Sequence, residues 1–241
     1  MKALLNNRFA PVTYSWGFLE KPLPDLVDFQ IKWVESLHQP NKCKLLEADL
    51  SRALQSLEPL DSGNVLYVTT KSIWTAVFQG CVGVTSPFSQ ISYPAEALQC
   101  RGVIVTCVED TFDDRTGEGQ YGGVSFEMFA AHPIPDGSGD PLVYVANTER
   151  VVSAIHDTGG WDFHTFGTPK EFEKTETYTR RRIRDRLTAE LLEEYCAALG
   201  IRLFDADFYG PHCALIYSTI RSPDRTTETY EDVQKKLGLR C

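Results

Sequence analysis

Val65-Leu66-Tyr67-Val68-Thr69-Thr70-Lys71-Ser72-Ile73-Trp74-Thr75-Ala76-Val77-Phe78 decides the fold class. Its runs 65–68 and 74–78 are β-branched and aromatic, and Gly63-Asn64 and Gly80 bound them. Side chains of that kind suit a pleated, half-buried surface, so both runs read as strands.

More strands follow downstream. Val103 to Val108 is apolar on both faces and reads as a central strand. Val124 to Ala131, Leu142 to Ala146, Val151 to Ile155, Trp161 to Phe166 and Ala214 to Thr219 continue the pattern. Asp136-Gly137-Ser138-Gly139-Asp140 is a turn between two of them. Upstream, Val12, Tyr14, Trp16 and Phe18 alternate onto one strand face.

Helices gather towards the chain ends. One begins near Asp25, carries Leu26, Phe29, Trp33, Val34 and Leu37 at three-to-four spacing, and stops before Pro40. A second is expected over 46–57, and a short one over 93–99 with Pro94 in its first turn. Residues 177–199 read as a broken helix or two abutting ones, with Thr188 as an internal N-cap and Gly200 as the stop. A terminal helix spans 230–237. Strand after strand, with helices at the ends, predicts an α+β fold. The sheet is expected to be largely antiparallel or mixed, with helices packed at the N-terminal and C-terminal parts. No flexible linker divides the 241 residues, so a single domain over 1–241 is expected.

The chain has 24 basic and 33 acidic residues, a net charge of −9. Most of the excess falls in 61–150, which holds 4 basic and 11 acidic residues. This balance disfavours nucleic acid as a direct ligand and favours a cationic protein partner. No apolar run reaches membrane-spanning length, and the N-terminus lacks the apolar stretch of a signal peptide. Seven cysteines without a C-x-x-C pair point to a reducing compartment rather than a zinc site or disulfide framework. A cytoplasmic location is the expectation, with no metal and no cofactor.

Motif by motif, catalytic chemistry finds little support. Gly117-Glu118-Gly119-Gln120-Tyr121-Gly122 has dinucleotide-loop spacing, but a strand follows it and Glu118 would face the phosphates, so a glycine-rich hairpin loop is the better reading. Asp205-Ala206-Asp207 could share a cation, yet reads as a solvated corner. His156, Asp157 and His164 are the nearest approach to an acid–base cluster, and would need a Ser or Cys brought close by the fold. Arg180-Arg181-Arg182 with Arg184 and Arg186 reads as a salt-bridged helix face, with Glu176 four residues before Arg180.

The segment of greatest weight is Glu109-Asp110-Thr111-Phe112-Asp113-Asp114-Arg115-Thr116-Gly117-Glu118. It offers carboxylates to Lys or Arg, and Phe112 as an apolar anchor. Loops carried by a rigid sheet are common recognition sites, and charge complementarity steers encounter. Glu109, Asp110, Phe112, Asp113, Asp114 and Glu118 are therefore the candidate binding residues. Trp74, Arg180 and Arg184 are secondary candidates.

Several segments resemble a family of bacterial immunity proteins encoded beside polymorphic toxins. They are 69–78, Tyr121-Gly122-Gly123, Phe172-Glu173, Tyr178, 182–188, Tyr195, 198–201 and 204–209. The resemblance spans roughly 64–210, and this chain departs from it with Gln79-Gly80-Cys81 after Phe78. It implies a cytoplasmic α+β antitoxin without catalytic residues, which neutralises a cognate toxin by stoichiometric complex formation. That toxin would be a nuclease of restriction-endonuclease fold, delivered by type VI secretion. An acidic inhibitor suits the basic cleft that a nuclease needs for phosphates. The alternatives are a small cytosolic hydrolase using the His/Asp residues, and a structural subunit of a larger assembly, which would expose a large apolar patch.

Overall fold

The computed structural model describes residues 2–83, 85–113, 115–117, 119–134, 146–219 and 228–239. Its centre is a nine-stranded sheet, antiparallel at every pairing. In chain order the strands are β1 (Ser15–Leu19), β2 (Asn41–Glu47), β3 (Val65–Thr70), β4 (Thr75–Gln79) and β5 (Gly102–Val108). They continue with β6 (Gly123–Phe129), β7 (Thr148–Asp157), β8 (Gly160–Phe166) and β9 (Tyr209–Ser218). Across the sheet the order is β2-β9-β3-β4-β1-β5-β6-β7-β8. The fold is α+β.

Both faces of the sheet are covered, which is why its middle strands are apolar on both sides. On one face, helices α1 (Leu23–Ser36) and α3 (Phe88–Ala97) pack over Leu19, Tyr67, Ile104, Phe129 and Ile216. Gly17 and Gly102 let α3 approach, because a Cβ at either would lie within 2.7 Å of Ile91. The other face holds the larger core, where Trp16, Phe18, Phe78, Val105 and Phe126 meet α2 (Leu50–Gln55), α4 (Ala189–Ala198) and α5 (Tyr230–Lys236). Full burial of each such large side chain stabilises the fold by roughly 2–3 kcal/mol.

Most expected elements are present with shifted ends, and three differ in kind. Residues 41–47 form edge strand β2, which takes 46–47 from the expected helix 46–57, and α2 begins only at Leu50, where the Asp49 carboxylate accepts the Arg52 amide at 2.8 Å. Helix α3 starts five residues before the expected 93 and runs through Pro94. Residues 177–188 are not α-helical. Short 3-10 turns at Thr175–Thr179 and Ile183–Asp185 are separated by extended backbone at Arg180 (ψ 143°) and Arg182 (ψ 122°). The Glu176–Arg180 helical pair therefore has no helix to hold it. Thr188 does cap α4, and Gly200 follows it at φ +78°. The expected strand 142–146 and the turn 136–140 fall on residues that are not described, apart from Ala146.

A buried ion pair fixes this irregular segment. Arg150 on β7 donates from Nε and Nη2 to the two Glu173 oxygens at 2.8 and 2.6 Å, and from Nη1 to the Phe166 and Gly167 carbonyls. Glu173 also accepts from the Lys170 amide and the Tyr178 hydroxyl, which lies 3.0 Å from the Tyr195 hydroxyl. Burial alone would raise the Glu173 carboxyl, but these donors outweigh it and hold the group below the usual carboxylate range.

Candidate functional site

Strands β5 and β6 are joined by the acidic connection 109–122. It folds as a hairpin extension. The Thr111 amide donates to the Gln120 carbonyl at 3.0 Å, and the Gln120 amide to the Thr111 hydroxyl at 3.1 Å. Gly119, at φ +94°, presses against Thr111, where a Cβ would lie 2.2 Å from the carbonyl oxygen. Gly122 packs equally tightly on the Asp110 backbone. Gly119 and Gly122 of the G-x-G-x-x-G spacing thus serve close packing within a hairpin, Gly117 at φ +69° has open space around it, and β6 follows them rather than a helix.

Two anchors tie the hairpin to its neighbours. The Asp110 carboxylate accepts a hydrogen bond from His156 Nδ1 at 2.9 Å, and the His156 amide donates to the Gly122 carbonyl at 2.8 Å. Phe112 stacks on Tyr121 with ring centroids 4.2 Å apart. Tyr121 meets the His156 ring edge-on at 5.0 Å, and His156 stacks on Trp161 at 5.2 Å with the planes 8° apart. Offset and edge-to-face contacts of this kind each add about 0.5–1.5 kcal/mol beyond area burial. Four rings from the hairpin, β7 and β8 therefore pack the base of the acidic segment against the sheet.

Phe112 consequently lies half-buried within the stack and is not a free anchor. Glu109 is exposed. Asp113 accepts the Arg115 amide at 2.9 Å and faces its guanidinium, which together hold its carboxyl below the ordinary range. Asp114 and Glu118 lie outside the described residues.

Concavities flank the hairpin on two sides. One, of about 880 Å³, is lined by Asn6, Arg8, Tyr14, Glu109, Asp113 and Gln234 among others. The other, of about 290 Å³, brings Glu109 and Asp110 together with Trp161, Arg184, Asp185 and Glu190. Arg184 thus sits beside the acidic segment, as part of a mixed-charge wall. Arg180, on the irregular segment 177–188, donates to the Asp185 carbonyl at 2.9 Å and does not line that hollow. Trp74 is corrected from a surface candidate to a packing residue: it is 1% exposed, its Nε1 donates to the Leu199 carbonyl at 2.8 Å, and Arg101 lies over its ring. Ile73 beside it is the exposed apolar residue, at 64%.

The His/Asp candidates do not converge. His156 pairs with Trp161 and His164 with Ser153 across the β7–β8 ladder, so the pleat places the two imidazoles on opposite sheet faces. Burial raises the thiols of Cys107 to about 12 and of Cys100 and Cys213 to about 11, away from thiolate chemistry at neutral pH. The Asp205 carboxylate accepts the Asp207 amide at 3.0 Å and pairs with Arg202, turning the D-x-D corner inward on itself. Among the described residues, no group of three or more His, Cys, Asp or Glu is arranged to hold a metal ion. None of the described helices is long and apolar enough to cross a membrane.

Sequence reasoning missed the aromatic clamp of Tyr121, His156 and Trp161. Its one local signal is His156 and Trp161 at matching positions around the tight turn Asp157-Thr158-Gly159-Gly160. It also missed a row of small hydroxyls, Ser15, Thr106, Ser125 and Ser153, in register across β1, β5, β6 and β7. Beside that row, burial pushes the Glu127 carboxyl up to about 7, with the Ser125 hydroxyl at 3.4 Å as its hydrogen-bond partner. Compared with protein-family models, with curated proteins and with solved structures, the chain matches none.

Proposed function

We propose that the chain is an immunity protein, a stoichiometric inhibitor that clasps a cationic secreted toxin with the acidic end of its sheet. The observation carrying this reading is the clamped hairpin. Glu109 and Asp113 are presented on a segment fixed by the Asp110–His156 hydrogen bond and the Phe112–Tyr121–His156–Trp161 stack. A pre-ordered loop loses little conformational entropy on binding, so more of its contact energy appears as affinity. Its carboxylates complement the basic cleft of a nuclease, which must hold phosphate. The mixed-charge hollow with Arg184, Asp185 and Glu190 gives such a partner a register as well as an attraction.

The immunity-protein resemblance supplies the class of toxin, a nuclease of restriction-endonuclease fold delivered by type VI secretion. The cytoplasm of the toxin-producing cell is where such an inhibitor acts. Co-expression with the toxin domain encoded by the neighbouring gene tests the reading. We expect a one-to-one complex by size-exclusion chromatography with light scattering, and loss of DNA cleavage at equimolar inhibitor. A toxin domain that stays free and active in equimolar mixtures contradicts it.

A further inference from the structure

We propose that β2 is a docking edge for an extended strand of a partner protein that carries carboxylates two residues apart. Among the described residues, strand β2 ends the sheet and pairs on one side only, with β9. The hydrogen bonds that flank this ladder, Ala48 amide to Pro211 carbonyl and Thr219 amide to Pro40 carbonyl, set its phase. Even-numbered residues of β2 bond to β9, because hydrogen-bonded pairs alternate along an antiparallel ladder. The amides and carbonyls of Asn41, Cys43, Leu45 and Glu47 therefore point outward, with no strand beyond them among the described residues. An added strand would bond to them, the geometry of β-augmentation.

The side chains select the occupant. Lys42 and Lys44 share one face of β2, both exposed, and neither has an ion-pair partner among the described residues. Leu45, on the other face, is 74% exposed beside a hollow of about 570 Å³ lined by Leu23, Pro24 and Val27 of α1. Asp28 and Glu47 border this hollow and repel an acidic side chain, while its apolar lining suits an apolar one. The fitting strand alternates acidic residues, opposite the lysines, with apolar ones above Leu45.

A second copy of the chain fits poorly in two of its antiparallel registers. Antiparallel self-pairing over the whole of 41–47 sets Lys44 opposite Lys44. Sliding by one hydrogen-bonded step towards the N-terminus sets Lys42 opposite Lys44 twice. Like charges directly opposite each other destabilise a strand pair. The lysines thus disfavour these two self-pairing registers, a known use of charge on open edges, while leaving the edge available to a carboxylate-bearing strand; a slide the other way sets Leu45 opposite Leu45 with no lysine pair, so a dimer is an outcome of the test below. This edge lies at the far side of the sheet from β7 and β8, so the proposal does not rest on the toxin-binding reading.

The test uses the full chain alone, in reductant. Its probes are a short blocked peptide alternating glutamate and valine, and a counterpart alternating lysine and valine. Addition of the glutamate peptide should slow amide exchange at Cys43 and Leu45 while leaving Lys42 and Lys44, already bonded to β9, unchanged. The variant Lys42→Glu/Lys44→Glu should bind the glutamate peptide at least about tenfold more weakly, as expected for two cross-strand charge pairs turned repulsive, and should now accept the lysine peptide. Both substitutions are at exposed positions, and circular dichroism checks that the fold is kept. Unchanged exchange at Cys43 and Leu45, equal binding of both peptides, or a concentration-dependent dimer that protects the same amides would each overturn the proposal.

Discussion

His156 on β7 donates its Nδ1 hydrogen to Asp110 at 2.9 Å, and so locks a loop that leaves β5 onto the β7–β8 hairpin. Removing the ring in His156→Ala deletes this bond and the stack on Trp161 together. The expected loss is about 1–2 kcal/mol of stability, with a larger local effect. Amide exchange at Thr111 and Gln120 should quicken at least tenfold while β5 amides stay protected. Equal slowing or quickening across the whole sheet would show that the clamp is global rather than local.

The Arg150–Glu173 pair predicts a different signature. Glu173→Gln leaves a buried guanidinium without its charge partner, which typically costs 3–5 kcal/mol. The double variant Arg150→Met/Glu173→Leu should recover most of that loss in urea titrations. Because the folded Glu173 carboxyl is held below its ordinary value, its contribution is present above that value and fades as pH falls through the lowered one. Acid titrations of wild type and Glu173→Gln should therefore converge at low pH.

Glu127 titrates in the opposite sense. Its folded carboxyl lies at about 7, above the ordinary 4.5, so the folded chain holds a proton that the unfolded chain releases. Stability from this group is full below pH 4.5, declines as pH rises to about 7, and is flat beyond. Glu127→Gln removes that decline. At pH 8 it should be roughly 1–3 kcal/mol more stable than wild type, with little difference at pH 4. Parallel urea midpoints at both pH values would contradict this.

The sheet was readable where burial imposes a pattern. Val103 to Val108 is apolar on both faces because β5 lies between helix layers, and its place inside the sheet follows directly. Strand β2 was not readable, since an edge exposed on both faces carries Lys42, Cys43 and Lys44 rather than alternating apolar residues. The segment 177–188 looked helical because Ile183 and Leu187 keep helical spacing. Its actual path is set by Glu173 reaching Arg150 twenty-three residues away, a contact that local pattern cannot carry. The acidic hairpin was legible as composition. Its rigidity was not, because Tyr121, His156 and Trp161 come from three separate segments.

The proposed steering of a cationic enzyme by the Glu109 and Asp113 carboxylates of the hairpin has a kinetic signature. It is tested most directly by stopped-flow association of the toxin domain with wild type and with Glu109→Lys/Asp113→Lys, over a range of salt concentrations. Charge reversal should slow association about tenfold or more at low salt and flatten its salt dependence, with a smaller change in dissociation. Identical association rates and identical salt slopes for the two proteins would contradict it.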